Sequence, residues 1–259
     1  LDLDVRPDYA RGEAHSTATP GGIVIEGAEA PIFVHSNLPT ACLTEREVFS
    51  LRSPVFATLC WGPSDSAPSL ESLERSLAQT VAGWRAWAKT CALPSFAPAA
   101  VLRSALCLKL HVSEDSGAII AAATTSIPEA MGTERTWDYR YCWLRDAAFV
   151  VESLRRLGHL AEGERFIEFL RRTVETKGLQ PVYGIGGEAE LHERMLPHLA
   201  GFGGNGHVRI GNAAFFQRQH DLMGEIVLCL DTVLGDPRIV EDDPHAVFPL
   251  VQRLVEQAI

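Results

Sequence analysis

Residues 135–146 read Arg135-Thr136-Trp137-Asp138-Tyr139-Arg140-Tyr141-Cys142-Trp143-Leu144-Arg145-Asp146, and a regular apolar pattern follows them. Ala147, Val150, Val151, Leu154 and Leu157 recur at spacings of three and four, which predicts a helix from Trp143 to about Leu157, stopped by Gly158. Arg145 and Asp146 then stand in its first turn, on a rigid element. The twelve residues hold two Trp, two Tyr, three Arg and two Asp. Aromatic rings stack on the apolar faces of a pyranose, and Arg and Asp bind its hydroxyls with charge-assisted hydrogen bonds. The same composition suits an aromatic, ion-paired plug between helices, and composition alone leaves the two readings level.

Outward from this stretch the pattern stays helical. Phe166, Ile167, Leu170 and Val174 predict a helix from Ala161 to Thr176, ahead of Gly178. Leu222, Met223, Ile226, Val227, Leu230 and Val233 predict a long one from Gly211 to Leu234, and another starts at Pro244. Upstream, Pro98 to about His111 forms a helix with Val101, Leu102, Ala105 and Leu108 on one face. Leu70, Leu73, Leu77, Val81, Trp84 and Trp87 mark an amphipathic connecting helix over 69–90, closed off by Pro94. Connections of about 30 residues precede Trp143 and Gly211, and loops of that length are usually functional. Before residue 65 the texture differs. Short apolar runs between turn residues (Gly22–Ile25, Ile32–Val34, Val48–Leu51 and Val55–Leu59) predict strands. The expected organisation is a β-sandwich-like region over 1–65, a linker helix over 66–93 and a helical domain over 94–259.

Bulk properties exclude several classes. A formal net charge of −10 and the lack of a basic run argue against a nucleic-acid partner. No run of 18 apolar residues exists to span a membrane, and the first residues have neither the basic nor the apolar region of a signal peptide. Cys42, Cys60, Cys91, Cys107, Cys142 and Cys229 stand singly, which predicts free buried thiols in a reducing, cytoplasmic compartment. The nine His form no metal-ligand spacing, and there is no P-loop or dinucleotide fingerprint, so no metal and no cofactor is expected. Gly201–Gly206 reads as a flexible loop.

Several motifs, in order, resemble those of bacterial enzymes of glycoside hydrolase family 15. They are Trp84-Arg85-Ala86-Trp87, Arg103–Leu110, Ala121–Glu129 with Arg135–Asp146, Tyr183-Gly184-Ile185, and Leu199–Phe202 leading to Val208–Ala214. Gln219, Asp221 and Gly224-Glu225 continue the likeness. The resemblance runs from about residue 80 to 235. It implies an (α/α)6 barrel preceded by a β-sandwich, here in part, so that the chain is mainly α with an N-terminal β region. It further implies inverting hydrolysis of α-glucosidic bonds. The family's Arg–Asp pair, here Arg145 and Asp146, would hold the −1 sugar, with Tyr139 and Trp143 as neighbours. Arg209, Asn212 and Trp137 are further candidates for the same cavity. Thr136, Gly186 and Phe215-Phe216 depart from the family's usual pattern, which bears on fine specificity.

The implied activity is glucoamylase-like release of glucose from oligosaccharides. The alternatives are a trehalase, and a sugar-binding protein without catalysis. Inversion needs a general acid and a general base roughly 6.5–9.5 Å apart, and the resemblance places both glutamates beyond Ile259. Among the acids present, Glu129, Glu134, Asp138, Glu188, Glu190 and Glu193 read as solvated or hydroxyl-binding loop acids, and Glu225 and Asp221, four apart on one helix face, as packing or capping residues. At most five helices follow Pro94, too few to close the barrel. The chain is therefore expected to be a truncated gene product, a fragment or one piece of a longer polypeptide, inactive alone, and able to self-associate through an open half-barrel.

Overall fold

The computed structural model describes residues 3–45, 48, 50–64, 66–238 and 247–258. The chain divides into two units, Leu1–Arg85 and Ala86–Ile259.

In the first unit a single turn, α1 (Pro7–Ala10), precedes an antiparallel meander. Its strands are β1 (His15–Thr19), β2 (Gly22–Glu26), β3 (Ile32–Ser36) and, after the short α2 (Ala41–Thr44), β4 (Ala57–Trp61), paired in sequence order. Ile23 and Ile25 of β2 and Val34 of β3 bury the same face against Leu43, as the two-residue period of a strand requires. The runs at Gly22, Ile32 and Val55 correspond to β2, β3 and β4. The expected strand at Val48–Leu51 needs correction: residues 48, 50 and 51 are not in a strand, and Phe49 lies outside the described residues. Val48 is fully exposed, so that run has no apolar surface to pack on. Conversely β1, His-Ser-Thr-Ala-Thr, lacks an apolar run and pairs through its backbone, with Thr19 opposite Gly22.

The division between the units falls inside α3 (Leu70–Lys89), which has no buried residue. Its N-terminus is capped by the Ser69 hydroxyl, which accepts from the Ser72 amide at 3.1 Å.

The second unit is helical, with α4 (Pro98–Leu110), α5 (Leu144–Arg156), α6 (Ala161–Lys177), α7 (Leu222–Leu234) and α8 (Phe248–Ala258). Pro244, the expected start of the last helix, lies outside the described residues. The anticipated faces come together in one core. It contains Leu144, Ala147, Val151 and Leu154 of α5, Phe166, Phe169, Leu170 and Val174 of α6, Ile226, Leu230 and Val233 of α7, and Leu250 and Leu254 of α8. Each large side chain so buried is worth roughly 1.5–3 kcal/mol. Gly163 lets α6 approach its neighbours, because a Cβ there would sit 3.1 Å from Val151 and 3.3 Å from Val233.

A polar cluster fastens the last turn of α3. Trp87 stacks on His159 at 3.9 Å between ring centres and donates its indole N–H to Glu162 at 3.1 Å. Lys109 meets the same carboxylate oxygen at 2.9 Å, and Cys91 Sγ lies 3.0 Å from His159 Nε2. Burial alone would push Glu162 upward, but Lys109 and the indole donor outweigh it and hold the carboxyl below its usual range.

The helix expected from Gly211 to Leu234 also needs correction. Asn212 opens a 3-10 turn, Ala213–Phe216, Gln217 is extended, and α7 starts only at Leu222. The residues between, Gln-Arg-Gln-His-Asp, offer no apolar face to bury. All six cysteines are free; Cys42, Cys142 and Cys229 are buried, whereas Cys107 is exposed and corrects the expectation that all would be buried. Among the described residues no helix is long and apolar enough to cross a membrane.

Candidate functional site

Within the second unit, a cavity of about 760 Å³ is lined by Trp137, Tyr139, Trp143, Arg145, Asp146, Arg209 and Asn212, all seven of the residues singled out from the sequence. Glu193, Gln217 and Gln219 also line it.

One side is built on helix ends. Cys142–Trp143 forms β5, which pairs with β6 (Val182–Tyr183), and α5 begins at the next residue. Trp143 is buried against Val182, Leu191 and Ala214, and its ring lies 5.7 Å from that of Tyr139. Arg145, about one third exposed (35%), donates from Nη1 to Asp221 Oδ2 at 2.8 Å and to Gln219 Oε1 at 3.2 Å. Its Nε lies 3.8 Å from Asp146 Oδ2. Asp221 holds the N-cap position of α7 yet makes no side-chain cap there. Instead of capping, as the sequence suggested, its carboxylate fixes Arg145. The bond from that guanidinium holds the Asp221 carboxyl below the usual carboxylate range.

The other side is built on loops. Arg209 lies in β8 (Arg209–Ile210), which pairs with β7 (Arg194–Met195). Its guanidinium sits 4.6 Å above the Trp137 ring, bonds Glu193 Oε1 at 2.5 Å and reaches the Glu134 carbonyl at 2.8 Å. Asn212 lines the cavity, but its amide is engaged with the protein: Oδ1 accepts from the Ala214 N–H, and Nδ2 donates to the Asp138 carbonyl. Asp138, fully buried, accepts from Arg140 at 2.9 and 2.8 Å and from the Gly211 amide at 3.3 Å. It therefore organises the loop and does not line the cavity.

The remaining acids are placed as follows. Glu129 pairs with Arg135 at 2.7 Å and accepts from the Tyr139 hydroxyl at 3.2 Å. Burial, with that carboxylate beside it, raises the Tyr139 pKa. Glu188 accepts from the Gly186 amide, Glu190 lies 3.4 Å from His192, and Glu225 lines a separate groove beside Phe149 and Leu228. Of the carboxylates among the described residues, Asp146 and Glu193 line the cavity. Glu193 stood in a list of loop acids, and nothing in its sequence neighbourhood pointed to Arg209. Gln219 and Asp221 carried a signal through the family likeness, but Gln219 had no assigned role and Asp221 only that of packing or capping. The Phe215 and Phe216 rings are tilted against each other at 3.7 Å between centres, and His192 meets Phe215 edge-on. No group of three His, Cys, Asp or Glu among the described residues could hold a metal ion.

The chain is similar in sequence to several known proteins. The chain is 38% identical over 211 residues to the trehalase of Mycolicibacterium smegmatis and, to the same extent, to that of Mycobacterium tuberculosis. Each alignment covers 79% of this chain and 31% of the relative. The trehalase of Thermoplasma volcanium is 37% identical over 158 residues, or 61% of this chain and 25% of that protein. The chain thus spans about a third of the length of the first two relatives. No solved structure matches it. Residues 96–256, which hold every residue lining the cavity, match the model of the glycosyl hydrolases family 15, and the chain belongs to that family.

Proposed function

We propose that this chain provides the sugar-gripping side of an α-glucoside hydrolase that acts on trehalose. One observation carries the reading: a single cavity unites Arg145, Asp146, Trp143 and Tyr139, with Arg145 held in place by Asp221 and Gln219. Arg145 and Asp146 take the hydroxyls of one glucose ring, and the aromatic pair offers it an apolar face. The trehalases among the relatives favour a disaccharide over longer oligosaccharides. In this reading the helices of the second unit form part of an (α/α)6 barrel, α3 is the linker, and the N-terminal sheet belongs to a β-sandwich. Hydrolysis is inverting, and the reading assigns neither acid nor base to the described residues. The family likeness puts both later than the motifs matched here.

Calorimetric titration with trehalose tests the assignment. Arg145→Ala removes charge-assisted hydrogen bonds of about 1.5–3 kcal/mol, so affinity should fall roughly 10- to 100-fold. Unchanged affinity would overturn the reading. The 259-residue chain alone should release no glucose from trehalose or maltose, and release from either would refute the placement of acid and base.

A further inference from the structure

We infer that Trp137 and Glu193, positioned by Arg209, form the site for the second ring of a disaccharide. The inference rests on the reading that Arg145 and Asp146 hold the first ring. The cavity, at about 760 Å³, lies within the ~300–1,000 Å³ range that encloses drug-sized ligands, and one pyranose would leave much of it open. Two separate polar groups line it. Arg145 is bound to Asp221 and Gln219, and Arg209 to Glu193 and the Glu134 carbonyl, with no partner in common.

The second group is built as a sugar platform. The Arg209 guanidinium covers one face of the Trp137 indole at 4.6 Å, while Trp137 still lines the cavity. Arg209 itself is spent. One Nη is on Glu193, the other is on a backbone carbonyl, and Nε is buried without a partner. It acts as a positioning residue, holding both the indole plane and the Glu193 carboxylate. Glu193 is anchored by Oε1 alone, and its side chain, 23% exposed, faces the cavity with its second oxygen available to sugar hydroxyls. A carboxylate anchored at one oxygen can accept from hydroxyls of a second ring. The four charged side chains lining the cavity, Arg145, Arg209, Asp146 and Glu193, sum to zero. This balance suits two neutral rings and offers no spare cation to a phosphorylated sugar.

The test is titration of the 259-residue chain with glucose, trehalose and trehalose 6-phosphate, together with Glu193→Gln and Trp137→Phe. The intact chain should bind trehalose at least about tenfold more tightly than glucose, and the phosphorylated sugar no more tightly than trehalose. Glu193→Gln should bring trehalose to within about threefold of glucose. Trehalose should change tryptophan emission beyond the change that glucose produces at Trp143, and Trp137→Phe should abolish that excess; this readout stands even if Glu193→Gln fails to fold. The same trehalose-to-glucose ratio in both variants as in the intact chain, or tighter binding of the phosphorylated sugar, would overturn the inference. If glucose binds through Arg145 without any advantage for trehalose, this inference alone falls. If neither sugar binds, the reading of Arg145 and Asp146 falls with it.

Discussion

The two sides of the cavity are held by different forces. Trp143, Arg145 and Asp146 sit where α5 emerges from a core that buries Leu144, Ala147, Val151 and Leu154 among the side chains of α6 and α7. Trp137 and Glu193 sit on loops and Arg209 on the two-residue β8, all held by scattered polar bonds. Thr125 Oγ1 donates to the Arg209 carbonyl at 2.8 Å, Ser126 Oγ accepts from its amide at 2.9 Å, and the Thr136 hydroxyl reaches the His207 carbonyl. The Gly211 amide is shared between Asp138 and the Tyr141 hydroxyl. Apolar burial is spread over many atoms and is not directional. A hydrogen-bonded loop depends on a few groups, each tied to a narrow geometry. The helical side should therefore lose stability while keeping its shape, whereas the loop side should lose shape at small cost in stability.

The largest expected effect lies in the core. Phe166→Ala should cost about 3–5 kcal/mol and lower the melting temperature, with trehalose affinity at low temperature nearly unchanged. A matching loss of affinity would show that the two sides do not differ in this way. Next comes Gly211→Ala. Gly211 has a φ of +80°, and a Cβ there would meet the His192 carbonyl at 2.1 Å. Strain of about 1–3 kcal/mol should displace β8 and weaken sugar binding more than Phe166→Ala does, despite the smaller change in stability. Ser126→Ala removes the hydroxyl that brackets both backbone groups of Arg209. It should cost about 1 kcal/mol in melting experiments and narrow the preference for trehalose over glucose. The smallest effect concerns pH. Because Arg145 lowers the Asp221 pKa, their pair contributes fully above the ordinary aspartate value of about 3.9 and is lost as pH falls through the lowered one. Trehalose affinity should drop only below that ordinary value, and Asp221→Asn should remove part of the drop. A fall beginning near pH 6 that Asp221→Asn removed would contradict the assignment.

What could be read from the sequence follows the same division. The α5 and α6 spans were legible because Val151, Leu154, Phe166 and Leu170 repeat at the helical period, and period survives without knowledge of partners. Arg145 and Asp146 were placed in a first turn for the same reason. The loop side has no period. That Glu193 would meet Arg209, or that Asp221 would reach Arg145 across 76 positions instead of capping its own helix, depends on how the chain returns on itself. The break before α7 was missed because the apolar spacing of Leu222–Val233 was extended back over five polar residues that bury nothing. Asp138 stood inside the decisive stretch, yet only the fold shows that it faces Arg140 and Gly211 and is shut off from solvent.

The fastening of α3 sets an order of events in time. A helix of twenty residues with none buried gains little from tertiary packing, the source of most helical stability in proteins. What secures it is Trp87 on His159 and on Glu162, and that carboxylate lies 75 positions further along the chain. On a ribosome adding ~5–20 residues per second, Glu162 is made roughly 4–15 s after the indole that it holds. For that interval the helix has emerged with the lock on its last turn not yet synthesised.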